Sequence, residues 1–426
     1  MKNTKPNYLL LASLVISILF IGCSSLSTGQ DGPEEFERRE LPRQLSEQEA
    51  ELVDGSGHFG FALMHQLVDD APDQNHFVSP LSILMAYGMT MNGAEGETYT
   101  QMQETFGMEG MSREEINESA RELLELLSQF DDNVQFNIAN SIWYRDSFSI
   151  EEDFLVTNQD YYDAVIEAAD FDDPATVDRI NSWVDDKTEG LIDEILQGPI
   201  DPLTVMYLIN AIYFDGDWTV PFDPENTQTK PFHLADGSTI ETDMMHQEEQ
   251  EDMHYRKGED YEAVNLYYGD AGFSMTLVLP DKDVGLENWV NDLNWNKWQE
   301  LTEGFNNVTL TLDMPKFETE YEIENFKKVL QEMGIVDAFN PAKSDFSRIN
   351  PAHNDLHISD TRHKTFVRVN EEGTEAAAAT SVGMNLTSVG PQSVQINFDR
   401  PFFYVIREVE SETILFMGTM NDPSSS

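Results

Sequence analysis

Three stretches of the chain combine residue types and spacings that could do chemistry. Gly55, Gly57 and Gly60 match the G-x-G-x-x-G pattern of dinucleotide-binding turns. An acidic, helix-like segment precedes them where that turn needs a buried strand, so the pattern predicts no cofactor site. Cys23 is the only cysteine, and its thiol could carry a lipid. Residues 371–395 contain a run of alanine and threonine that could enter a β-sheet.

The patterns of common catalytic sites are missing from the sequence. It has no P-loop, no H-E-x-x-H pair, no G-x-S-x-G turn and no EF-hand loop. The nine histidines lack the spacing of metal ligands, and one cysteine excludes a disulfide framework and cysteine-ligated zinc. Carboxylates are so abundant that their pairing says nothing about acid–base catalysis. We therefore expect no enzyme, no metal and no cofactor.

The alanine-rich run allows two interpretations. Four consecutive alanines, residues 376–379, favour an exposed helix. The β-branched Thr374 and Thr380 on either side, with Gly383 after them, are also compatible with a strand. As a strand, one face would begin with four small side chains that could slide between existing strands. That face would carry Thr374, Ala376, Ala378, Thr380, Val382, Met384 and Leu386.

Residues 1–22 have the layout of a secretory signal. A basic start precedes an apolar stretch, residues 9–21, that is short for a membrane-spanning helix. The stretch ends in Gly22-Cys23, which resembles a bacterial lipoprotein processing site where Cys23 would accept diacylglycerol. An ordinary signal peptide cut nearby is the alternative. Residues 23–48 predict an acidic flexible tether, so we expect an extracytoplasmic protein, lipid-anchored to the bacterial cell envelope or secreted.

The chain is strongly acidic, with 25 basic and 79 acidic side chains and a formal charge of −54. Such a surface repels nucleic acids and other polyanions, including a heparin-like cofactor. The acids are dispersed along the chain, which is typical of a surface adapted to high salt, where screening suppresses self-repulsion. A hydrophobic content of 40% is sufficient for a large core.

Residues 49–426 predict one large α+β domain without repeats. Ser112 and Glu115 form a capping box ahead of an amphipathic helix, and Pro174 begins another helix. Residues 308–314 and 273–279 alternate as half-buried strands do, and residues 205–214 predict a strand covered on both faces. The inward positions of the two helices are Ile116, Ala120, Leu123, Leu124 and Leu127, then Val177, Ile180 and Val184.

Several ordered motifs resemble those of the serpin family over about residues 50–423. Residues 371–380, Glu-Glu-Gly-Thr-Glu-Ala-Ala-Ala-Ala-Thr, are similar to the hinge of inhibitory serpins. Residues 398–406, Phe-Asp-Arg-Pro-Phe-Phe-Tyr-Val-Ile, resemble the C-terminal family signature. Matching islands occur in order at residues 75–83, 210–218, 314–317 and 363–364.

The resemblance implies a serpin fold, in which helices pack on a large mixed main β-sheet with two further sheets and an exposed reactive-centre loop at about residues 371–395. It also implies a monomeric suicide inhibitor. A serine protease attacks the loop and forms an acyl-enzyme, and the cut loop inserts as an extra strand of the main sheet. The hinge consists of Glu371, Glu372, Gly373, Thr374, Glu375, Ala376, Ala377, Ala378, Ala379 and Thr380.

Family spacing places the reactive bond between Thr387 and Ser388. A threonine there suits the small or medium specificity pockets of elastase-like and subtilisin-like proteases. Leu386 or Met384 would precede the cleaved bond if a protease engaged the loop in a shifted register. Two other functions fit the same fold: a non-inhibitory surface binding protein, and an inhibitor of papain-like cysteine proteases.

The resemblance also implies two structural sites in the main sheet. Ser79, Ser82, Asn210 and His363 would form a buried polar cluster, the shutter, where the strands part. Four separately satisfied core groups are the alternative. Trp218, Lys316 and Glu371 would form the breach, where insertion starts, with an ion pair between Glu371 and Lys316. An exposed pair would stabilise the fold very little.

Overall fold

The structure is a computed structural model that describes residues 38–374 and 392–425. Six of the α-helices described there come before residue 190 and three come after residue 285. No helix in these two ranges is long and apolar enough to cross a bilayer. The helices are α1 (Glu47–Asp70), α2 (Pro80–Met91), α3 (Gly96–Thr105), α4 (Arg113–Ser128), α5 (Glu152–Tyr162), α6 (Ala175–Lys187), α7 (Leu286–Asp292), α8 (Trp295–Glu303) and α9 (Phe326–Glu332).

The strands form two sheets in the described residues, in agreement with the predicted α+β class. The strands are β1 (His76–Val78), β2 (Val134–Arg145), β3 (Val165–Ala169), β4 (Met206–Asp217), β5 (Gln228–His233), β6 (Thr239–Lys257), β7 (Tyr261–Tyr268), β8 (Phe273–Pro280), β9 (Asn306–Pro315), β10 (Phe317–Glu322), β11 (Lys364–Val369), β12 (Gly373–Thr374), β13 (Ser393–Asn397), β14 (Phe402–Glu408) and β15 (Ile414–Met420).

The main sheet has six strands in the order β10-β11-β12-β4-β2-β3. Its strands run antiparallel except for the parallel pair β2 and β3. Helix α6 packs on one face, because Val184 of α6 shares an apolar cluster with Trp143 of β2 and Ile209 of β4. Helix α2 lies on the other face, where its Ser82 bonds Asn210 of β4.

The second sheet has nine strands in the order β1-β15-β14-β8-β7-β6-β9-β13, with β5 paired to β6. We expected two further sheets, but the 19-residue strand β6 joins them into one. Its register against β9 shifts twice, around Gln250, and Glu249 and Asp252 have positive φ angles. Such bulges bend a strand without ending it, so one strand serves both halves.

The predicted elements are present with three differences in burial. Helices α4 and α6 begin at the expected residues with the expected faces inward, except that Leu124 is only half-buried. Strand β9 alternates as predicted, whereas β8 is buried along its whole length. Strand β4 is only half-buried over its first three residues. Central strands of a covered sheet lose their exposed face, which explains β8.

Gly55, Gly57 and Gly60 lie inside α1, so their spacing serves helix packing and not a phosphate-binding turn. A Cβ atom at Gly57 would come within 2.5 Å of the Trp295 ring. A Cβ at Gly60 would come within 2.6 Å of Pro80. The glycines let neighbouring elements approach α1 closely, which fits the sequence-based rejection of a dinucleotide site.

Residues 38–45, which we call the N-terminal strap, lie against the body. The Arg39 amide donates to Asp270 O at 3.1 Å, and the Leu41 amide donates to a Glu410 carboxylate oxygen at 2.6 Å. Arg43 forms two hydrogen bonds of 2.6 and 2.7 Å with the buried Glu49 carboxylate. The body therefore extends to residue 38 at least, ahead of the boundary at residue 49 that we predicted.

Candidate functional site: a partly filled slot in the main sheet

In the described part of the chain, only a short strand lies between β4 and β11 of the main sheet. The two-residue strand β12 lies between them at one end, pairing Thr374 with Val369 of β11 and with Gly216 of β4. Further along β4, a cavity of about 550 Å³ is lined by β4, by residues 355–363 ahead of β11, and by α2. We call this space between β4 and the 355–369 segment the slot. Within residues 38–374 and 392–425, β12 is the strand that lies in the slot, and it occupies one end.

The hinge enters the slot at Gly373 and Thr374, and both residues are buried. A Cβ atom at Gly373 would collide with the backbone of Gly216 and Asp217, so glycine permits the close approach to β4. Thr374 is 3% exposed, and its Oγ1 lies 2.6 Å from the Tyr268 hydroxyl. We predicted an exposed loop from about residue 371, but Gly373 and Thr374 belong to the sheet because β4 and β11 supply partners.

Glu371 and Lys316 form the ion pair that we predicted, with 2.8 Å between Lys316 Nζ and Glu371 Oε2. The Thr227 hydroxyl donates to Glu371 Oε1 at 2.6 Å. Burial alone would raise the pKa of the Glu371 carboxyl, but the bonds from Lys316 and Thr227 outweigh it and hold the pKa below its usual range. The carboxylate stays charged and ties the hinge to the start of β10.

Trp218 holds the hinge through its backbone and its ring. Its amide donates to Glu372 O at 2.7 Å, and its indole Nε1 donates to Asn370 O at 2.9 Å. The ring stacks on Tyr268 with centroids 4.4 Å apart and planes 15° apart. Trp218, Lys316 and Glu371 therefore meet at one end of the slot, where the resemblance places them, and Tyr268 and Thr227 join them.

The four shutter residues are in contact with one another beside the slot. The Ser79 amide donates to His363 Nε2 at 3.0 Å, and the Ser82 amide donates to Ser79 Oγ at 3.1 Å. The Ser82 hydroxyl donates to Asn210 Oδ1. Burial lowers the pKa of His363 to about 3, so the imidazole is neutral and its Nε2 can accept. The four groups form one cluster and are not separately satisfied.

The polar cluster extends further than the sequence indicated. The Asn210 amide donates to Asn140 Oδ1 of β2 at 2.8 Å, and the Asn140 amide donates to Tyr162 O of α5 at 2.8 Å. The Tyr162 hydroxyl donates to Asn117 of α4 at 3.0 Å. In the sequence, the only sign of Asn140 is its position in the strand-like segment of residues 134–145. Hydrogen bonds thus connect the slot with α4 and α5.

Some predicted residues lie outside the described residues. They are Cys23, the reactive-bond residues Thr387 and Ser388, and the hinge positions Glu375, Ala376, Ala377, Ala378, Ala379 and Thr380. Within residues 38–374 and 392–425, no group of three or more His, Cys, Asp or Glu side chains is arranged to hold a metal ion. The site that the structure describes is therefore the slot, the first hinge residues and their contacts.

The chain was compared with known families, proteins and structures. The model of the family described as "Serpin (serine protease inhibitor)" matches residues 54–423. Mouse antithrombin-III is 34% identical over 93% of this chain and 86% of its own length. The leukocyte elastase inhibitor of Xenopus tropicalis is 33% identical over 86% of this chain and 98% of its own length. The native-state crystal structure of tengpin, a thermophilic serpin, has a TM-score of 0.79 and 32% identity, covering 89% of this chain and 95% of its own.

The match to the family model spans most of the chain and includes every described slot residue. The α+β architecture, with helices packed on mixed sheets, agrees with the matched serpin structure. The chain belongs to the serpin family, the serine protease inhibitors.

Proposed function

We propose that this protein inhibits serine endopeptidases by trapping the acyl-enzyme through loop insertion. The observation that carries the proposal is the position of Gly373 and Thr374, which already form a strand at one end of the slot. The chain that follows them carries small side chains at the positions that share a face with Thr374: Ala376, Ala378 and Thr380. A strand propagating from Thr374 can fill the slot without steric conflict.

The proposed reaction uses the protease's serine, not a group of this chain. The serine oxygen attacks the carbonyl carbon of Thr387, the bond to the Ser388 nitrogen breaks, and that nitrogen leaves as a protonated amine. The ester to Thr387 is normally hydrolysed by water. Here the freed hinge pairs with β4 and β11 first and carries the bound protease away from the loop's original position.

Insertion extends a pairing that has already begun, because Gly373 and Thr374 of β12 lie between β4 and β11 and pair with both strands. Successive inserted residues can pair their N–H and C=O groups alternately with β4 on one side and with β11 on the other. The half-buried start of β4 would be covered at the same time. The uncleaved chain cannot gain these contacts while residue 387 remains covalently joined to residue 388 and hence to β13.

The targets that we propose are elastase-like and subtilisin-like proteases, since Thr387 precedes the reactive bond. The test is separate incubation with an elastase, a subtilisin and papain, each followed by electrophoresis in SDS. A covalent complex and a released fragment beginning at Ser388 are expected. Cleavage without a complex would support the non-inhibitory function, and a complex with papain alone would support the cysteine-protease function.

We further propose that the protein acts outside the cytoplasm, anchored to a bacterial cell envelope by a lipid on Cys23. The support is the signal-like sequence of residues 1–22 and the cysteine that follows Gly22. Mass spectrometry of the N-terminal peptide from a bacterial host should show a diacylglycerol on Cys23. An unmodified mature peptide in the medium would indicate secretion. Cys23→Ser, which removes the thiol, is the matched control.

A further inference from the structure

Residues 267–270, the end of β7 and the start of the turn that follows it, contact both the N-terminal strap and the hinge, and we call this segment the turn. Arg39 lies on one side of it, where its amide donates to Asp270 O at 3.1 Å and its guanidinium donates to Asp270 Oδ2 at 2.9 Å. Arg38 interacts with the Tyr267 hydroxyl and opposes the rise in the Tyr267 pKa that burial causes. Tyr268 lies between these two contacts in sequence, and its hydroxyl contacts Thr374 of the hinge.

The turn is also fixed to the body below it. The Asp270 amide donates to Asp131 Oδ2 at 2.9 Å, and the Gly269 amide donates to Asp217 O at 2.9 Å. Asp217 pairs with Gly373 in the main sheet. The side chain of Asp131 is fully buried, and the Arg39 guanidinium lies 3.9 Å from it. The Arg39 guanidinium therefore lies within ion-pair distance of two carboxylates, 2.9 Å from Asp270 and 3.9 Å from Asp131, and Gly269 links Asp270 to Tyr268.

On the hinge side, Tyr268 makes two contacts. It stacks on Trp218, whose backbone amide bonds Glu372, and its hydroxyl lies 2.6 Å from Thr374 Oγ1. Tyr268 and Thr374 are both buried, so a shift of the turn changes the packing of both. One path from Arg39 to Thr374 passes through Asp270, Gly269 and Tyr268, with a contact or a peptide bond at every step. A second path leads from Gly269 through Asp217 to Gly373.

We propose that Arg39 is a positioning residue for the hinge, acting through Asp270 and Tyr268, so that docking of the strap stabilises the inserted state of Thr374. Losing the Arg39 side chain leaves Asp270 and Asp131 facing each other without a cation, which pushes the turn away from the body. Tyr268 then holds Thr374 less firmly. The consequence for protease trapping rests on the proposed function, but the coupling itself does not.

The test is hydrogen exchange of the full chain, with two peptides as readouts. Residues 216–222 contain the Trp218 amide that bonds Glu372 and the Phe222 amide that bonds Glu371. Residues 38–45 report the strap. We expect Arg39→Ala to speed exchange in both peptides, by up to about fivefold for loss of a partly exposed ion pair. Arg39→Lys, which keeps the charge, should restore most of the protection.

The control is Lys297→Ala. This variant removes an exposed ion pair between Lys297 of α8 and Asp292 at the end of α7, and neither residue belongs to the strap or the hinge. Because coupling is reciprocal, a second variant tests it from the hinge side. Thr374→Ala removes the hydroxyl that bonds Tyr268, and it should speed hydrogen exchange of residues 38–45. Unchanged exchange of residues 216–222 in an Arg39→Ala chain whose strap exchanges faster would overturn the proposal. Failure of the unmodified chain to trap any protease would refute the proposed function and leave this coupling untouched.

Discussion

The hydroxyl of Tyr268 lies 2.6 Å from Thr374 Oγ1, in a site where both side chains are buried. The two residues are far apart in sequence, and their contact fixes the first hinge residues in the main sheet. Replacing Tyr268 by phenylalanine would leave Thr374 Oγ1 buried without this partner, at a cost of about 1–3 kcal/mol. We expect faster hydrogen exchange of the Trp218 amide, which bonds Glu372.

The matched control is Tyr255→Phe, which also removes a phenol hydrogen bond, to Glu262, at a site far along the second sheet. It should leave exchange near Trp218 unchanged. Equal exchange in Tyr268→Phe and the unmodified chain would show that the hydroxyl does not hold the hinge.

The side chain at position 374 must be buried in the main sheet when the loop inserts into the slot. An arginine at this position would carry a charge into a site where threonine is 3% exposed, and burying an unpaired charge is strongly unfavourable. We expect Thr374→Arg to be cut at the same bond as the unmodified chain while forming almost no SDS-stable complex. Thr374→Ser should retain complex formation. Equal trapping by the arginine variant would contradict insertion through residue 374.

The sequence predicted the hinge and the shutter because both are carried by short motifs. The capping box of α4 and the small side chains after Thr374 are local signals, and their interpretation depends on neighbouring residues only. The Tyr268–Thr374 contact has no local signal, because a buried tyrosine can face any part of the core. The joining of two sheets by β6 was missed because the middle of β6, residues 247–252, is a run of polar side chains without the alternation that predicts a strand. The bulges around Gln250 lie in this run.

The docking of the N-terminal strap was also missed, although the sequence contained a sign of it. Arg38, Arg39 and Arg43 fall within six positions of a chain that has 79 acidic and 25 basic side chains. Composition suggested a flexible tether there. Only the fold shows that Asp270 and Glu410 provide acidic partners for this segment, since both are distant in sequence, whereas Glu49 lies six positions from Arg43.

The Glu371 carboxylate should stabilise the fold in a pH-dependent way. Its folded pKa is below its ordinary value, so its contribution is present above about pH 4.3 and is lost as the pH falls through the folded pKa. Glu371→Gln should lower the free energy of unfolding at pH 7 and much less at pH 3. Urea titrations at the two pH values measure this. A constant difference between variant and unmodified chain would exclude ionisation as the cause.

His363 should have a pH dependence of its own. Its folded pKa of about 3 lies below the ordinary value, so the unfolded chain binds a proton first and stability falls from about pH 6.5 down to pH 3. The loss from this group approaches roughly 5 kcal/mol. His363→Gln keeps an acceptor for the Ser79 amide and should flatten this part of the stability profile. His58→Gln, at an exposed site on α1, should leave it unchanged.

The central claim is that the cleaved loop becomes a strand between β4 and β11, and thermal unfolding tests it most directly. The measurement compares the melting temperature of the intact chain with that of a chain cut between Thr387 and Ser388. A full strand adds on the order of twenty hydrogen bonds at about 1 kcal/mol each, so the cut chain should melt more than about 20 °C higher. A cut chain that melts at or below the temperature of the intact chain would contradict loop insertion.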